Sequence, residues 1–313
     1  MTVAAFLLVY SLAVIAFGPP FLRRLTRKGD APRYGVAAWL TAIGSVLITW
    51  VLAAVLVVGD VVSPAGHHDG FLASCFAMLC DVAIGHAGRA PQIVLWLTAL
   101  SGALGFVVAI FRFACTVARL RTRAHEHADA IRLVGRPGEQ SGVFVVDAPE
   151  RAAYCVSGRP PVIVVTTGAL AALDERELGA VLAHERAHLA GHHHLVIAAA
   201  RGLAAVFPRL PLMARGAVEV SRLLEMCADD AAVRRFGHRT LLSGLMTLAG
   251  AAPVAALGAA DVAVLTRAER LAVPAAQPTR IRARAALTSA STLMVCGPLI
   301  TLAVAASGAV ICG

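Results

Sequence analysis

Four long apolar stretches limit what this chain can fold into more than any other feature of its sequence. Three of them, near residues 34–58, 91–116 and 285–311, are long enough to cross a bilayer core of about 30 Å, which takes about 20 helical residues. A shorter stretch, residues 2–19, has no basic region before it, so we interpret it as a retained first span. With 58% hydrophobic and 15% charged residues, the chain is not an ordinary soluble protein.

Basic residues indicate how these spans are oriented. The loop between the first two spans carries five basic residues against one acidic residue, whereas the loop 59–90 carries three acidic residues against Arg89. Because basic loops remain in the cytoplasm, we expect a multi-pass bacterial plasma-membrane protein with both chain ends external. The same flanks account for most of the net charge of +9, which therefore gives no support for direct nucleic-acid binding.

The spans divide the chain into three predicted regions. Residues 1–118 form a membrane domain with three transmembrane helices and the external loop 59–90, residues 119–284 form a cytoplasmic domain, and residues 285–313 form a last transmembrane helix. Within the second region, G-V-F-V-V-D, A-A-Y-C-V-S-G and P-V-I-V-V-T-T-G are short β-branched runs separated by Gly and Pro, which predict a small sheet. The expected fold is a polytopic α-helical membrane protein with an inserted α+β domain.

The pattern H-E-x-x-H at His184, Glu185 and His188 is the strongest chemical signal. Residues four apart lie on one face of a helix, so the two imidazoles can converge on one metal ion. Glu185 points to the side, which suits a carboxylate that takes a proton from water rather than ligating the metal. The pattern predicts a catalytic zinc site.

The residues around this pattern favour a helix. Asp174 followed by Glu177 is typical of a capping box at a helix start. Leu178, Val181 and Leu182 recur at helical spacing, and Gly191 is a suitable C-terminal stop. The metal-binding pattern therefore lies on the type of element that its chemistry requires.

A third zinc ligand is predicted at Glu225. Asp229 lies four residues further along a predicted helix, where its carboxylate can accept the other ring N–H of a ligating histidine. If residues 195–219 crossed the bilayer once, Glu225 would lie on the opposite side from His184. We therefore expect this segment to be re-entrant or interfacial.

The substrate side of the site is predicted from the strand Val162 to Thr166. An exposed strand edge beside the metal can hold an extended peptide by main-chain pairing, which makes Ile163, Val164 and Val165 candidate substrate-binding residues. The alternative is that the strands only cover the helix. His238 or Arg235 is the candidate donor to the oxyanion.

Other histidines and the cysteines have simpler interpretations. We interpret residues 192–194, three consecutive histidines, as polar side chains near free carbonyls at a helix C-terminus, with His192 as an adventitious ligand in the alternative interpretation. The histidines of the external loop are expected to be solvated. Cys75, Cys80 and Cys312 are predicted to lie on the external side of the membrane, where the alternatives are a disulfide among them or free thiols.

The motifs taken together resemble those of the gluzincin membrane peptidases, which include the HtpX and Ste-type enzymes. They are more closely similar to the BlaR/MecR-type sensor-transducer metallopeptidases, which share three spans before the protease domain and one after it. The motifs are T-T-G-A-L, L-D-x-x-E-L-x-A-V-L-A-H-E-x-A-H and E-x-x-A-D. The resemblance implies zinc bound by His184, His188 and Glu225, with Glu185 as catalytic base and Asp229 supporting a ligand.

The resemblance also implies a zinc-dependent metalloendopeptidase acting on the cytoplasmic side. Its protein substrate would be a BlaI-type transcriptional repressor or the protease itself, so that cleavage transduces a signal. The antibiotic receptors carry a penicillin-binding sensor after the last span, whereas this sequence ends at Gly313, so we expect a signal to enter through the loop 59–90, a partner or the bilayer. The alternatives are an HtpX-type quality-control protease and a non-catalytic, zinc-containing membrane receptor.

Overall fold

The computed structural model describes residues 2–62, 89–250 and 259–306. Most residues in these ranges are helical, and a small sheet is formed by the chain between the third helix and the fourth helix. The helices are α1 (Thr2–Thr26), α2 (Pro32–Val62), α3 (Arg89–Val134), α4 (Thr167–Ala172), α5 (Glu175–Ala190), α6 (His193–Val206), α7 (Pro211–Phe236), α8 (His238–Ala249), α9 (Ala259–Ala272) and α10 (Gln277–Ala306). The strands are β1 (Arg136–Pro137), β2 (Val143–Val146), β3 (Ala153–Val156) and β4 (Val162–Thr166).

Among the described residues, four helices are long and apolar enough to cross a membrane. They are Val3–Thr26, Pro32–Leu56, Leu100–Val134 and Gln277–Ile300. Such helices indicate association with a membrane. The first continues through Pro19 and Pro20 to Thr26, beyond the end that the sequence predicted.

One apolar core joins α1, α2, α7 and α10. Trp39 of α2 is fully buried in it, together with Leu22, Leu212 and Leu287 from the other three helices. The first half of α7 thus packs among helices that are apolar enough to span a membrane. The core continues along α7 as far as Met226, and the second half of this helix carries Glu225 and Asp229 toward the metal-binding pattern.

Helix α3 connects an apolar stretch directly to the sheet. It runs without interruption for 46 residues, and its last turns place Ala128 and Ile131 against Val162 and Val164. The opposite face of the sheet packs on α5, where Val181 and Leu182 meet Ile163 and Val165 of β4. The sheet is therefore buried between two helices, as expected for strands rich in β-branched residues.

The sheet has the order β1-β2-β4-β3, which corrects one prediction. The three predicted strands are present, and the two-residue β1 adds a fourth that sequence patterning did not show. β4 pairs in parallel with β2 and antiparallel with β3, and all five of its residues are buried. The prediction that Ile163, Val164 and Val165 form an exposed substrate edge was wrong, because both sides of β4 are already paired. The outer strand next to α5 is β3.

Helices α6 and α7 form a hairpin whose turn spans residues 207–210. α6 has 14 residues, about 21 Å, which is too short to cross a bilayer core of about 30 Å. Gly202 allows α6 to approach α3, since a Cβ there would lie 2.9 Å from Phe113. Gly216 does the same for α7 and α2, where a Cβ would lie 3.0 Å from Ile43 Cδ1. The hairpin returns the chain to α5.

Several predicted features lie outside the described residues. These are the external-loop histidines, namely His67, His68 and His86, and the three cysteines proposed for a disulfide, Cys75, Cys80 and Cys312. At the borders of that loop the structure is helical, because α2 continues to Val62 and α3 begins at Arg89.

Candidate metal centre

The helix that carries H-E-x-x-H begins and ends where the sequence predicted. Asp174 Oδ1 accepts from the Glu177 N–H at 2.8 Å, and Glu177 Oε2 accepts from the Asp174 N–H at 3.1 Å, which completes a capping box. Gly191 caps the C-terminus. These caps satisfy backbone groups that a helix leaves unpaired at its ends, so α5 is a firm support for its side chains.

His184 and His188 point to the same place. Their Nε2 atoms lie 3.2 Å apart, and their rings meet edge to face with centroids 4.8 Å apart. His184 is 4% exposed, so its ring orientation is set by packing as well as by its polar neighbours. One turn of helix therefore presents two nitrogen atoms at a single point.

Glu225 of α7 supplies an oxygen to this point. Its Oε2 lies 3.4 Å from His184 Nε2, and its Oε1 lies 3.4 Å from His188 Nε2. One ligand atom from each of the three residues lies within 4.8 Å of the others. Two imidazoles and a carboxylate are the ligand set of many catalytic zinc sites, and such a set leaves a fourth position open.

Asp229 anchors His184 from the side away from Glu225. Its Oδ1 lies 3.1 Å from His184 Nδ1, and its side chain is completely buried. Burial opposes the charged imidazole, but the carboxylates of Asp229 and Glu225 outweigh it and raise the pKa of His184 to about 9. With its Nδ1 beside a buried carboxylate, His184 presents Nε2 to a metal ion.

His188 has an anchor that the sequence did not reveal. His193 is buried, and its Nδ1 lies 2.9 Å from His188 Nδ1. Burial, with the neighbouring His188, lowers the pKa of His193 to about 4, so this imidazole is neutral. The interpretation of His192, His193 and His194 as one polar end of a helix was wrong for His193, which begins α6 and faces the metal centre.

Arg267 of α9 is a second residue that sequence reasoning missed. Its Nε and Nη2 donate to Asp229 Oδ2 and Oδ1 at 2.9 and 2.6 Å, and its Nη1 lies 3.2 Å from Glu225 Oε2. Burial raises the pKa of Asp229, but hydrogen bonds from Arg267 and His184 outweigh burial and hold this pKa below its usual value. The site thus has three carboxylates, from Glu185, Glu225 and Asp229, against one guanidinium, which suits a divalent cation.

The two predicted oxyanion donors lie elsewhere. Arg235 is exposed against the ring of Phe236, ten residues and about 15 Å beyond Glu225 on the same helix. His238 lies among Arg280, Arg270 and Asp230 rather than among the metal-binding residues. Arg267 is the cation that the structure places beside His184 and Glu225 instead.

Glu185 connects the metal-binding helix to the outer strand of the sheet. Its Oε2 accepts a hydrogen bond from the Cys155 N–H of β3 at 2.9 Å. This amide points away from β4 and toward the metal-binding residues. The Glu185 carboxylate therefore lies between the metal-binding residues and an edge strand. In this position it can contact both a water molecule at the metal and a peptide bond of a substrate.

Comparison with known proteins gives a family assignment. The model of peptidase family M48 matches residues 116–301, which include all of the residues at this centre. No curated protein matches the chain. No solved structure matches it either.

Proposed function

Because the chain belongs to peptidase family M48, and is therefore a metallopeptidase, we propose that it is a membrane-embedded zinc endopeptidase. The observation that carries the proposal is the convergence of His184, His188 and Glu225 on one point beside the carboxylate of Glu185. Two nitrogen ligands and one oxygen ligand favour zinc over the hard cations, which prefer oxygen alone.

Each side chain at the centre has a distinct task. His184, His188 and Glu225 would hold zinc, which when bound polarises a carbonyl and lowers the pKa of water toward about 7. Glu185 takes the proton from the attacking water and delivers it to the leaving amine, because it is the carboxylate beside the centre that also faces β3. Asp229 and His193 fix the imidazoles from behind.

Arg267 contributes a fixed positive charge. It holds Asp229 in a two-point ion pair and also lies within ion-pair distance of Glu225, so the orientation of both carboxylates depends on it. In a largely buried site such a charge stabilises developing negative charge more strongly than it would in water.

The substrate main chain is proposed to pair with β3. The Cys155 N–H already points toward Glu185, and β3 is the edge strand of the described sheet that lies next to α5. An extended peptide added there would continue the sheet and bring its own peptide bonds past the metal-binding residues.

The proposed location is the bacterial plasma membrane, with the catalytic centre on the cytoplasmic side. Four helices suitable for crossing a membrane and the basic residues flanking them support this arrangement. The proposed substrate is a cytoplasmic protein, either a repressor of the BlaI type or the protease itself. The BlaR/MecR-like order of spans and motifs supports that role in signalling.

The test is to purify the chain in detergent, measure its zinc content, and compare cleavage by the native protein and Glu185→Gln. We expect cleavage to fall by about 10²–10⁴-fold while zinc is retained, because only the proton-transfer group is lost. Glu175→Gln is a matched control at the exposed start of the same helix. Equal cleavage by native protein and Glu185→Gln would show that this carboxylate is not the base.

A second experiment separates signalling from quality control. Cytoplasmic and membrane proteins that persist intact in cells producing Glu185→Gln would be identified by mass spectrometry. Accumulation of one or two proteins with a change in transcription supports signalling, whereas accumulation of many damaged membrane proteins contradicts it.

A further inference from the structure

A cavity of about 490 Å³ adjoins the metal centre on the side of His188. It lies between α3, the outer edge of β3 and the first turns of α6. Its apolar lining comes mainly from Ala124, Tyr154, Val156, Leu189 and Ile197. Its volume falls within the roughly 300–1,000 Å³ of typical ligand sites. Because His188 and Cys155 also line it, the cavity is continuous with the place where the scissile bond would lie.

We infer that this cavity selects the substrate by accepting a large apolar side chain from the segment N-terminal to the scissile bond, with an acidic residue beside it facing Arg123. The inference rests on the proposed peptidase function. It goes further because it assigns a chemical preference to a particular side of the cleaved bond.

The direction of the substrate follows from the edge strand. Cys155 marks the level of the catalytic carboxylate, and Val156 and Ser157, which follow it along the chain, line the cavity. A peptide that pairs antiparallel to β3 runs the opposite way, so its residues before the scissile bond lie beside Val156 and Ser157. Antiparallel pairing is the slightly more stable mode.

The lining defines the side chain that fits. Apolar atoms dominate the walls, and the aromatic ring of Tyr154 closes one side by stacking on His127, with ring centroids 5.9 Å apart. An aromatic or long aliphatic side chain would remove this surface from water on binding. A small side chain would leave the space unfilled.

The rim of the cavity is positively charged. Arg123 lines it and is exposed, and it forms no ion pair within the described ranges of the chain. His194 is also at the rim, but burial, with His192 and Arg121 nearby, lowers its pKa, so the positive charge of the rim comes from Arg123. Among the described residues that line the cavity, none is acidic. Such a rim attracts an acidic side chain of the substrate and repels a basic one.

The experiment uses the full chain, purified in detergent and loaded with zinc, and a set of quenched fluorescent peptides. Matched peptides carry Phe, Leu or Ala before the bond and Glu, Gln or Lys beside that residue, and cleavage positions are identified by mass spectrometry. We expect kcat/KM to be about 10–100-fold higher for Phe than for Ala, the range that one buried side chain provides.

Two variants test the cavity itself. Ala124→Phe fills it, and we expect the preference for Phe to disappear while cleavage of the Ala peptide remains; Ala130→Phe, exposed on the same helix, is the control. Arg123→Glu should reverse the preference between Glu and Lys peptides. Arg136→Glu makes the same charge change at the opposite edge of the sheet and should not.

The outcomes distinguish this inference from the proposed function. If native protein cleaves every peptide at similar rates, or selects residues only after the scissile bond, the inference is overturned while the peptidase function stands. Equal losses on Phe and Ala peptides in Ala124→Phe also overturn it. If no peptide is cleaved in a zinc- and Glu185-dependent manner, the proposed function itself has failed.

Discussion

The two halves of α7 carry different kinds of side chain, although the apolar core continues into the second half as far as Met226. The first half places Leu212, Met213 and Val220 in an apolar core with α1, α2 and α10. The second half carries Glu225 and Asp229, whose charges are neutralised by histidines and by Arg267. Apolar packing tolerates changes that preserve volume, whereas a buried charge requires each partner in place. The two halves should therefore respond differently to substitution: the first in stability, the second in metal binding and activity.

The largest expected effect is at Glu225. Glu225→Gln keeps the shape but removes the charge of a metal-binding residue. Zinc affinity and cleavage should therefore fall by more than the roughly 10–100-fold loss that is typical when a residue hydrogen-bonded to a metal ligand is replaced. Zinc affinity is measured by competition with a chromophoric chelator. Glu219→Gln, in the first half of the same helix and paired with Arg222, is the control and should keep its zinc. Zinc retention in Glu225→Gln would remove this residue from the site.

A substitution of Arg267 should affect both stability and metal binding. Arg267→Met leaves the fully buried Asp229 without its two-point partner, which should lower the free energy of unfolding by about 3–5 kcal/mol. Denaturant unfolding of the zinc-free protein in detergent measures this loss. Arg239→Met, at an exposed position on α8, should change stability by less than about 0.5 kcal/mol. Similar stability in the two variants would show that the ion pair is not structurally important.

Arg267 also shows where sequence reasoning ends. Caps, helical spacing and the requirement for a third ligand predicted α5, Glu225 and Asp229 at the positions where the structure has them. Arg267 lies 38 residues beyond Asp229 on a separate helix, and no periodicity connects the two. Partners of this kind are set by tertiary packing.

The sheet illustrates a different limit. β-branched runs predicted the three main strands, yet strand order depends on which pairs form, and the run Val162–Thr166 was interpreted as an exposed edge although both of its sides are paired. Five consecutive buried residues are typical of a central strand, and that signal was present in V-I-V-V-T. Similarly, the run His192–His194 did not indicate that His193 faces inward. His192 adopts a left-handed backbone conformation, and the chain changes direction there between α5 and α6.

In the apolar half, Trp39 should show the opposite response to Glu225. It is fully buried against α7, so Trp39→Ala leaves a large cavity and should cost about 3 kcal/mol of stability. Zinc affinity of the folded protein should stay within about twofold, a difference of under about 0.5 kcal/mol. The reason is that Trp39 packs beside Gly216, which precedes Glu225 by nine residues and about 14 Å on α7. Leu40→Ala, on the outward side of α2, is the control. Loss of zinc in Trp39→Ala would show that both halves of α7 move as one.

The smallest effect is expected at His193, and it tests whether anchoring alone matters. His193→Ala leaves His188 and its Nε2 in place but removes the partner of its Nδ1, so zinc affinity should fall about 10–100-fold with little loss of stability. His193→Asp, which restores an acceptor for the ring N–H of His188, should recover most of that affinity. A residue that only filled space would be replaced better by Leu than by Asp. Higher zinc affinity in His193→Leu than in His193→Asp would therefore contradict an anchoring role and make His193 part of the packing, as Trp39 is.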